Sequence, residues 1–167
     1  ATLGMMAAHG ARRWVAPVEI PLTTIATLGA TRPPGLEIEV FAYGRLPLAF
    51  SARCFTARAQ NRPKDECGFI CGDYPDGITL YSRDDQPFLT LNGIQTQSAA
   101  VQNLLPHIDA LRSAGVDILR LSPQSQDFPA VIRAFRAALD SADAATRLPE
   151  PSLPGGYCDG YLRGEAG

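Results

Sequence analysis

Lysine is almost missing from this chain. Lys64 is the only one, so nearly all of the 15 basic residues are arginine, set against 17 acidic ones for a formal charge of -2. That balance lacks the broad basic field that non-specific nucleic-acid binding requires. Long apolar runs are missing too, and no stretch approaches the roughly 18 residues of a membrane span. No basic segment followed by an apolar one opens the sequence, so no secretory signal is visible and a cytoplasmic location is expected. There is no Gly-rich phosphate loop and no Gly-x-Ser-x-Gly elbow, the usual short signatures of nucleotide binding and acyl transfer. Histidine is scarce: His9 and His107 stand alone and read as surface or helix-end residues. Charged residues make up only 19% and hydrophobic ones 46%, which is the composition of a globular chain with a core.

Against that background four cysteines stand out, and three of them crowd into Cys54–Cys71. Twelve residues separate the first pair and three separate the second. The segment is polar and punctuated by Pro63 and Gly68, which is loop composition. In a chain with no export signal, such cysteines point to metal or redox chemistry rather than structural disulfides. Arg53, Arg58, Arg62 and Lys64 lie among or beside them, and positive charge favours the thiolate form that binds metal. Zinc usually takes a tighter Cys-x2-Cys knuckle, so the wider spacing tilts the reading toward iron–sulfur. Either metal needs a fourth ligand. Cys158 could supply it, or could simply pack the Gly-rich tail.

The rest of the chain reads as alternating strands and helices. Thr2 to His9 resembles the tail of a helix, as if the protein continued upstream. Arg12–Val18 is a strand, and a helix runs from Pro21 through Leu22, Ile25 and Leu28 to Gly29. Leu36–Tyr43 alternates strictly, with Glu37, Glu39, Phe41 and Tyr43 on one face and Ile38, Val40 and Ala42 on the other. Ile78–Ser82 and Phe88–Leu91 form a hairpin after the cysteine loop. The spacing of Val101, Leu104, Leu105, Ile108 and Leu111 predicts a helix over Ser98–Ala114, kinked or divided at Pro106. Val116–Leu121 is a strand, and Asp127 caps a last helix bearing Phe128, Val131, Ile132, Phe135 and Leu139. This order implies an α/β fold: a parallel sheet with crossover helices, an incomplete TIM-barrel-like arrangement of about half the usual eight units, with the cysteine loop inserted. Residues 1–146 would form that part and residues 147–167 a Pro/Gly-rich tail.

Barrel-like folds collect function at the carboxyl ends of their strands. That rule singles out Glu19, Tyr43 with Arg45, Asn92, and Arg120 with Ser122, although each could equally satisfy local backbone groups. Glu39 should point inward, where an acid needs a partner, and Arg45 or Arg120 could provide it. The Ser122–Ser125 turn could bind an anion at the helix start, though capping is the commoner use. No nucleophile–base pair or catalytic residue is apparent.

Several of these segments resemble the collagenase-like peptidase family of unassigned mechanism (U-type). Glu39-Val40-Phe41-Ala42-Tyr43-Gly44 and Ser51-Ala52-Arg53-Cys54 carry the family signature. More narrowly, the run from Gly44 to Arg58, Arg62-Pro63-Lys64-Asp65-Glu66-Cys67, Leu91-Asn92-Gly93-Ile94-Gln95-Thr96 and Leu119-Arg120-Leu121-Ser122-Pro123-Gln124 are similar to its UbiV-like branch. Pro47 stands where many relatives, the UbiU-like branch included, carry Cys. The resemblance implies a 4Fe–4S cluster held by four cysteines. Cys54, Cys67 and Cys71 match three of the ligands, and the fourth belongs to the N-terminal part of the family. Cys158 matches a tail cysteine that is not a ligand, although Asp159-Gly160-Tyr161-Leu162 departs from the usual Asn-Gly-Tyr-Trp. The implied activity is oxygen-independent ring hydroxylation in ubiquinone biosynthesis, in a heterodimer with a UbiU-like paralogue. A ubiquinone precursor would be the substrate and prephenate the oxygen source. The alternatives are a peptidase or RNA-hydroxylating relative of the same superfamily, and a zinc-stabilised interaction module.

Overall fold

The computed structural model describes residues 2–141, 148–149, 151 and 153–164. Its elements run α1 (Thr2–Ala8), β1 (Arg13–Val15), α2 (Leu22–Ala30), β2 (Glu37–Phe50), α3 (Phe55–Ala59), β3 (Ile78–Tyr81), β4 (Pro87–Asn92), β5 (Gln95–Asn103), α4 (Ile108–Ser113), β6 (Ile118–Leu121), α5 (Phe128–Asp140) and β7 (Tyr157–Cys158). Short 3-10 turns at Lys64–Glu66, Ile70–Asp73 and Leu105–His107 fill the connections. The expected division at 146/147 lies outside the described residues.

β2 is the spine of a seven-stranded open sheet ordered β1-β2-β5-β4-β3, with β6 also pairing β2 and β7 pairing β5. Its first half is flanked by parallel strands on both sides. β1 pairs Glu37–Glu39, and β6 pairs Glu39–Tyr43. Ile38, Val40 and Ala42 are buried on the helix side, packed with Ile25 of α2, Leu111 of α4 and Phe135 of α5. Burying side chains such as Ile38 or Leu111 completely contributes roughly 1.5–3 kcal/mol each, and both are at most 1% exposed.

The hairpin expected after the cysteine loop is present as β3 and β4, but the expected parallel sheet gives way to antiparallel pairing in the second half of β2 as well. From Tyr43 onward β2 pairs β5 antiparallel, and the β3–β4–β5 ribbon is antiparallel throughout. The connections explain this. Asn92 faces Gln95 across a two-residue turn, and so tight a turn joins only antiparallel strands.

The helix expected over Ser98–Ala114 is also corrected. Gln95–Asn103 is strand, and only Ile108–Ser113 is α-helical. Val101, Leu104 and Leu111 are all nearly inaccessible, so one buried stripe runs across a strand end, a turn and a helix. Pro106 does not kink a helix. It sits in the first positions of the 3-10 turn, where its missing N–H costs nothing. Among the described residues no helix is long and apolar enough to cross a membrane.

Two backbone amides and one side chain complete the ladder where β1 ends and β5 has not yet begun. Ala16 N–H donates to Glu39 O at 2.9 Å and Leu104 N–H to Ala42 O at 2.9 Å. Between them the Gln102 amide donates to Phe41 O. Gly160 packs against Gln102 so closely that any side chain there would strike the amide.

Candidate functional site: the cysteine loop and the strand ends

The cysteine loop leaves the end of β2 and is pinned to the β4–β5 turn. Ser51 N–H donates to Ile94 O at 2.8 Å and Phe55 N–H to Gly93 O at 2.8 Å. Thr56 Oγ1 accepts from Gly93 N–H at 3.0 Å, and Thr56 is 1% exposed. Cys54 is the N-cap of α3, its Sγ accepting from Ala57 N–H at 3.4 Å. Lys64 Nζ reaches back to Ala52 O at 3.1 Å. Cys67 ends the first 3-10 turn and Cys71 lies within the second, which packs against α3. Gln60 fixes that packing by donating to the Tyr74 hydroxyl at 2.8 Å.

Between Cys67 and Cys71 the backbone changes hand. Cys67 has φ -71°, while Gly68 and Phe69 have φ +61° and +55°. Such a reversal turns consecutive amides toward one side, a shape that suits anions and sulfide clusters. Phe69 is 84% exposed although left-handed backbone is unfavourable for it. Arg62 lies over this bend, donating to Cys67 O at 3.3 Å.

All four cysteines are free and half-buried. Among the described residues no three His, Cys, Asp or Glu side chains are drawn together closely enough to hold a metal ion. The donor set nonetheless fits a soft metal in type: three accessible thiols on one loop, with Arg62 and Lys64 folded onto it. Cys158 is elsewhere. It pairs with Gln102 near one end of β5, whereas α3 is fastened at the other end, about 20 Å away at some 3.4 Å per residue. Burial pushes the Cys158 thiol up, with the Gly160 amide opposing and Asp159 adding to the rise. A raised thiol is a poor metal ligand at neutral pH.

The second group of expected site residues sits on β2 and β6. Glu39 is 3% exposed and accepts from two arginines: Arg13 Nη1 at 3.0 Å and Arg120 Nε at 2.5 Å. Arg13 also bonds Glu37 at 3.0 Å. Arg45 is not a partner of Glu39. Its Nη1 donates to Thr90 Oγ1 and to the carbonyls of Ser98 and Ala99, at 2.5, 2.9 and 2.6 Å. Those carbonyls are freed where the β2–β5 register shifts between Arg45 and Pro47. Arg45 therefore plugs a bulge, and burial lowers its pKa, opposed by the charge of Asp76.

Tyr43 also departs from its expected face. The β2–β6 register slips between Phe41 and Tyr43, and one extra residue turns the next side chain over. Tyr43 therefore joins the helix-side core, edge-on to Phe135 and Tyr157 with ring centroids 6.1 and 6.3 Å away. Close by, Gly44 has φ +123°, and a Cβ there would lie 2.7 Å from Ser122 Cβ. Ser125 is already engaged, its N–H donating to Asp76 Oδ1 at 2.8 Å. Asp127 caps α5, accepting from Ala130 N–H at 3.3 Å. Glu19 is exposed beyond β1, and Asn92 lies at the β4–β5 turn, so neither joins this group. His107 lies 3.7 Å from Asp159.

Sequence reasoning missed Arg13, Asp76 and Tyr157. Arg13 faces Glu37 only in the observed register of β1 with β2, which the sequence pattern did not fix. Asp76 and Tyr157 act across long sequence separations and left no local pattern. No solved structure matches this chain. A family model described as Peptidase family U32 matches residues 1–155. The signature around β2 and the cysteine loop thus belongs to a homologous domain, and the chain is a member of peptidase family U32.

Proposed function

We propose that this chain is an iron–sulfur protein of the UbiV type. In this reading Cys54, Cys67 and Cys71 hold a 4Fe–4S cluster whose fourth ligand comes from a part of the protein upstream of Ala1. The cluster would supply one-electron transfer. The chain's own residues would do the rest: Arg62 and Lys64 offset thiolate charge, and the Gly93 turn fixes Cys54 through α3. The protein would pair with a UbiU-like paralogue in oxygen-independent ring hydroxylation of a ubiquinone precursor, with prephenate as oxygen source, in the cytoplasm. The parallel β1, β2 and β6, joined through α2 and α4, would be consecutive units of a TIM-barrel-like (β/α) domain. The cysteine loop would then rise from the carboxyl end of the middle strand, where such folds carry their sites.

The observation that carries this reading is the donor set: three free, half-buried thiols on one loop, inside a motif similar to the UbiV-like branch. The test is complementation. The complete protein, expressed with its partner, should restore ubiquinone in anaerobically grown cells lacking their own UbiV, and Cys67→Ala should abolish the rescue. Metal analysis of protein purified without oxygen should find iron and sulfide. Zinc instead of iron would favour a structural module, and rescue that persists without Cys67 and without iron would defeat the proposal.

A further inference from the structure

β6 accompanies β2 only as far as Tyr43, whose carbonyl accepts from Ser122 N–H at 2.8 Å. There the two strands part. β6 ends at Leu121 and the chain turns into the 122–127 loop, while β2 runs on to Phe50 beside β5. Ligands of open α/β sheets collect in the crevice beyond the carboxyl ends of strands that diverge in this way. Here the crevice is a cavity of about 100 Å³, lined by Tyr43, Gln126, Asp127, Val131, Leu153 and Tyr157 among others.

Its chemistry is specific. Tyr43 is 5% exposed and Val131 also 5%, so the floor is apolar. Burial, together with a hydrogen bond to Tyr157, raises the Tyr43 phenol far above its ordinary range, so it keeps its proton. The mouth holds Gln126 and Asp127. Asp127 has φ +29°, a strained backbone for a residue with a side chain.

We propose that this cavity binds one aromatic ring carrying a hydroxyl or carbonyl oxygen. A protein cavity of roughly 150 Å³ accommodates benzene; this one is smaller but partly open, so it admits a single ring at most. The tyrosine rings, whose centroids lie 6.3 Å apart, offer the edge-to-face contacts that aromatic rings prefer, and their hydroxyls can donate to the ligand's oxygen. The Asp127 carboxylate at the mouth disfavours an anion. For its ligand class the inference rests on the ring-hydroxylation reading, but it uses none of the cysteines, so loss of phenol binding and loss of the cluster are separable outcomes.

The test is titration of the full chain with phenol, followed by amide NMR, with cyclohexanol and benzoate as comparisons. Phenol should shift the signals of Tyr43, Asp127 and Val131 and bind more tightly than either comparison. Tyr157→Phe should weaken phenol about fivefold to tenfold, the worth of one hydrogen bond. Ala130→Phe, which fills the cavity from the rim of α5, should abolish binding while leaving the melting transition cooperative. Cyclohexanol or benzoate binding as tightly as phenol would overturn the ring or charge requirement. Shifts absent from the cavity residues, or unaffected by both variants, would overturn the site.

Discussion

Glu39 shows how much a single residue can say. Strict alternation along β2 placed an acid on one face of the sheet, and burial demanded a cation. Arg120 was a foreseeable partner because β6 lies beside β2. Arg45 was an equally good candidate on paper, and only the irregular pairing of β2 with β5 sends it to Thr90 and the Ser98 and Ala99 carbonyls. The arginines around Glu39 are half exposed, with side-chain accessibilities of 46% and 53%, so they can turn to water if the acid is lost. Glu39→Ala should therefore lower the unfolding free energy by about 2 kcal/mol, the range for charged hydrogen bonds, rather than the larger cost of an orphaned buried ion. Urea denaturation measures it.

Asp117 offers a pH test. Burial raises its carboxyl pKa, but the Ile38 N–H at 2.8 Å and the Arg32 guanidinium outweigh that and hold it below its ordinary value of 3.8. The charged form is thus favoured by folding. Its contribution is present above the ordinary value and is lost as pH falls through the lowered one. Asp117→Asn should be less stable than the parent at pH 7, and in denaturation curves the gap should narrow as pH falls below 3.8 and through the lowered value. A gap that stays constant would show that the ion pair with Arg32 is not the source.

At the level of elements, α2 and α5 were legible because each has one period over its whole length, whereas β2 was legible only over Leu36–Tyr43, since register shifts break its alternation from there on. The Ser98–Ala114 region was not. Its apolar spacing of three and four is common to a helix and to a strand that ends in a turn and a helix. Asn92-Gly93 ahead of it supplied the contrary signal, a hairpin turn that brings the chain back as a second strand beside Phe88–Leu91. That turn also anchors the cysteine loop, through Thr56. Replacing Thr56 with Val keeps the shape and removes the acceptor. Thr56→Val should cost about 1–3 kcal/mol by leaving the Gly93 N–H unpaired in a closed setting. Amide exchange should quicken across Cys54–Asp73 before the β2–β6 core is affected. Uniform quickening of the whole molecule would mean that the loop is not a separate cooperative unit.

On the scale of the whole molecule, two kinds of sheet are fused along β2. The parallel trio is covered by helices on the side that buries Ile38 and Val40, which is how parallel strands are usually kept from water. The antiparallel ribbon is less protected. β3 is its outermost strand, with no partner on its far side among the described residues. Leu80 and Tyr81 on β3 are 39% and 55% exposed, and Phe88 on β4 is 63% exposed. A strand that combines open backbone groups with exposed apolar side chains is a template for pairing with another chain. β1 is shorter, and its first residue, Arg13, is tied to Glu37 and Glu39, so that edge is blunted by charge. This chain should therefore self-associate reversibly through β3, with a sedimentation coefficient that rises with concentration. Leu80→Lys places a charge on that edge, a common natural device against pairing. It should return the protein to a monomer without lowering its thermal midpoint, since Leu80 is not part of the core. A parent protein that stays monomeric across the concentration range would remove the β3 contact from consideration, and association that survives Leu80→Lys would place it on a different edge.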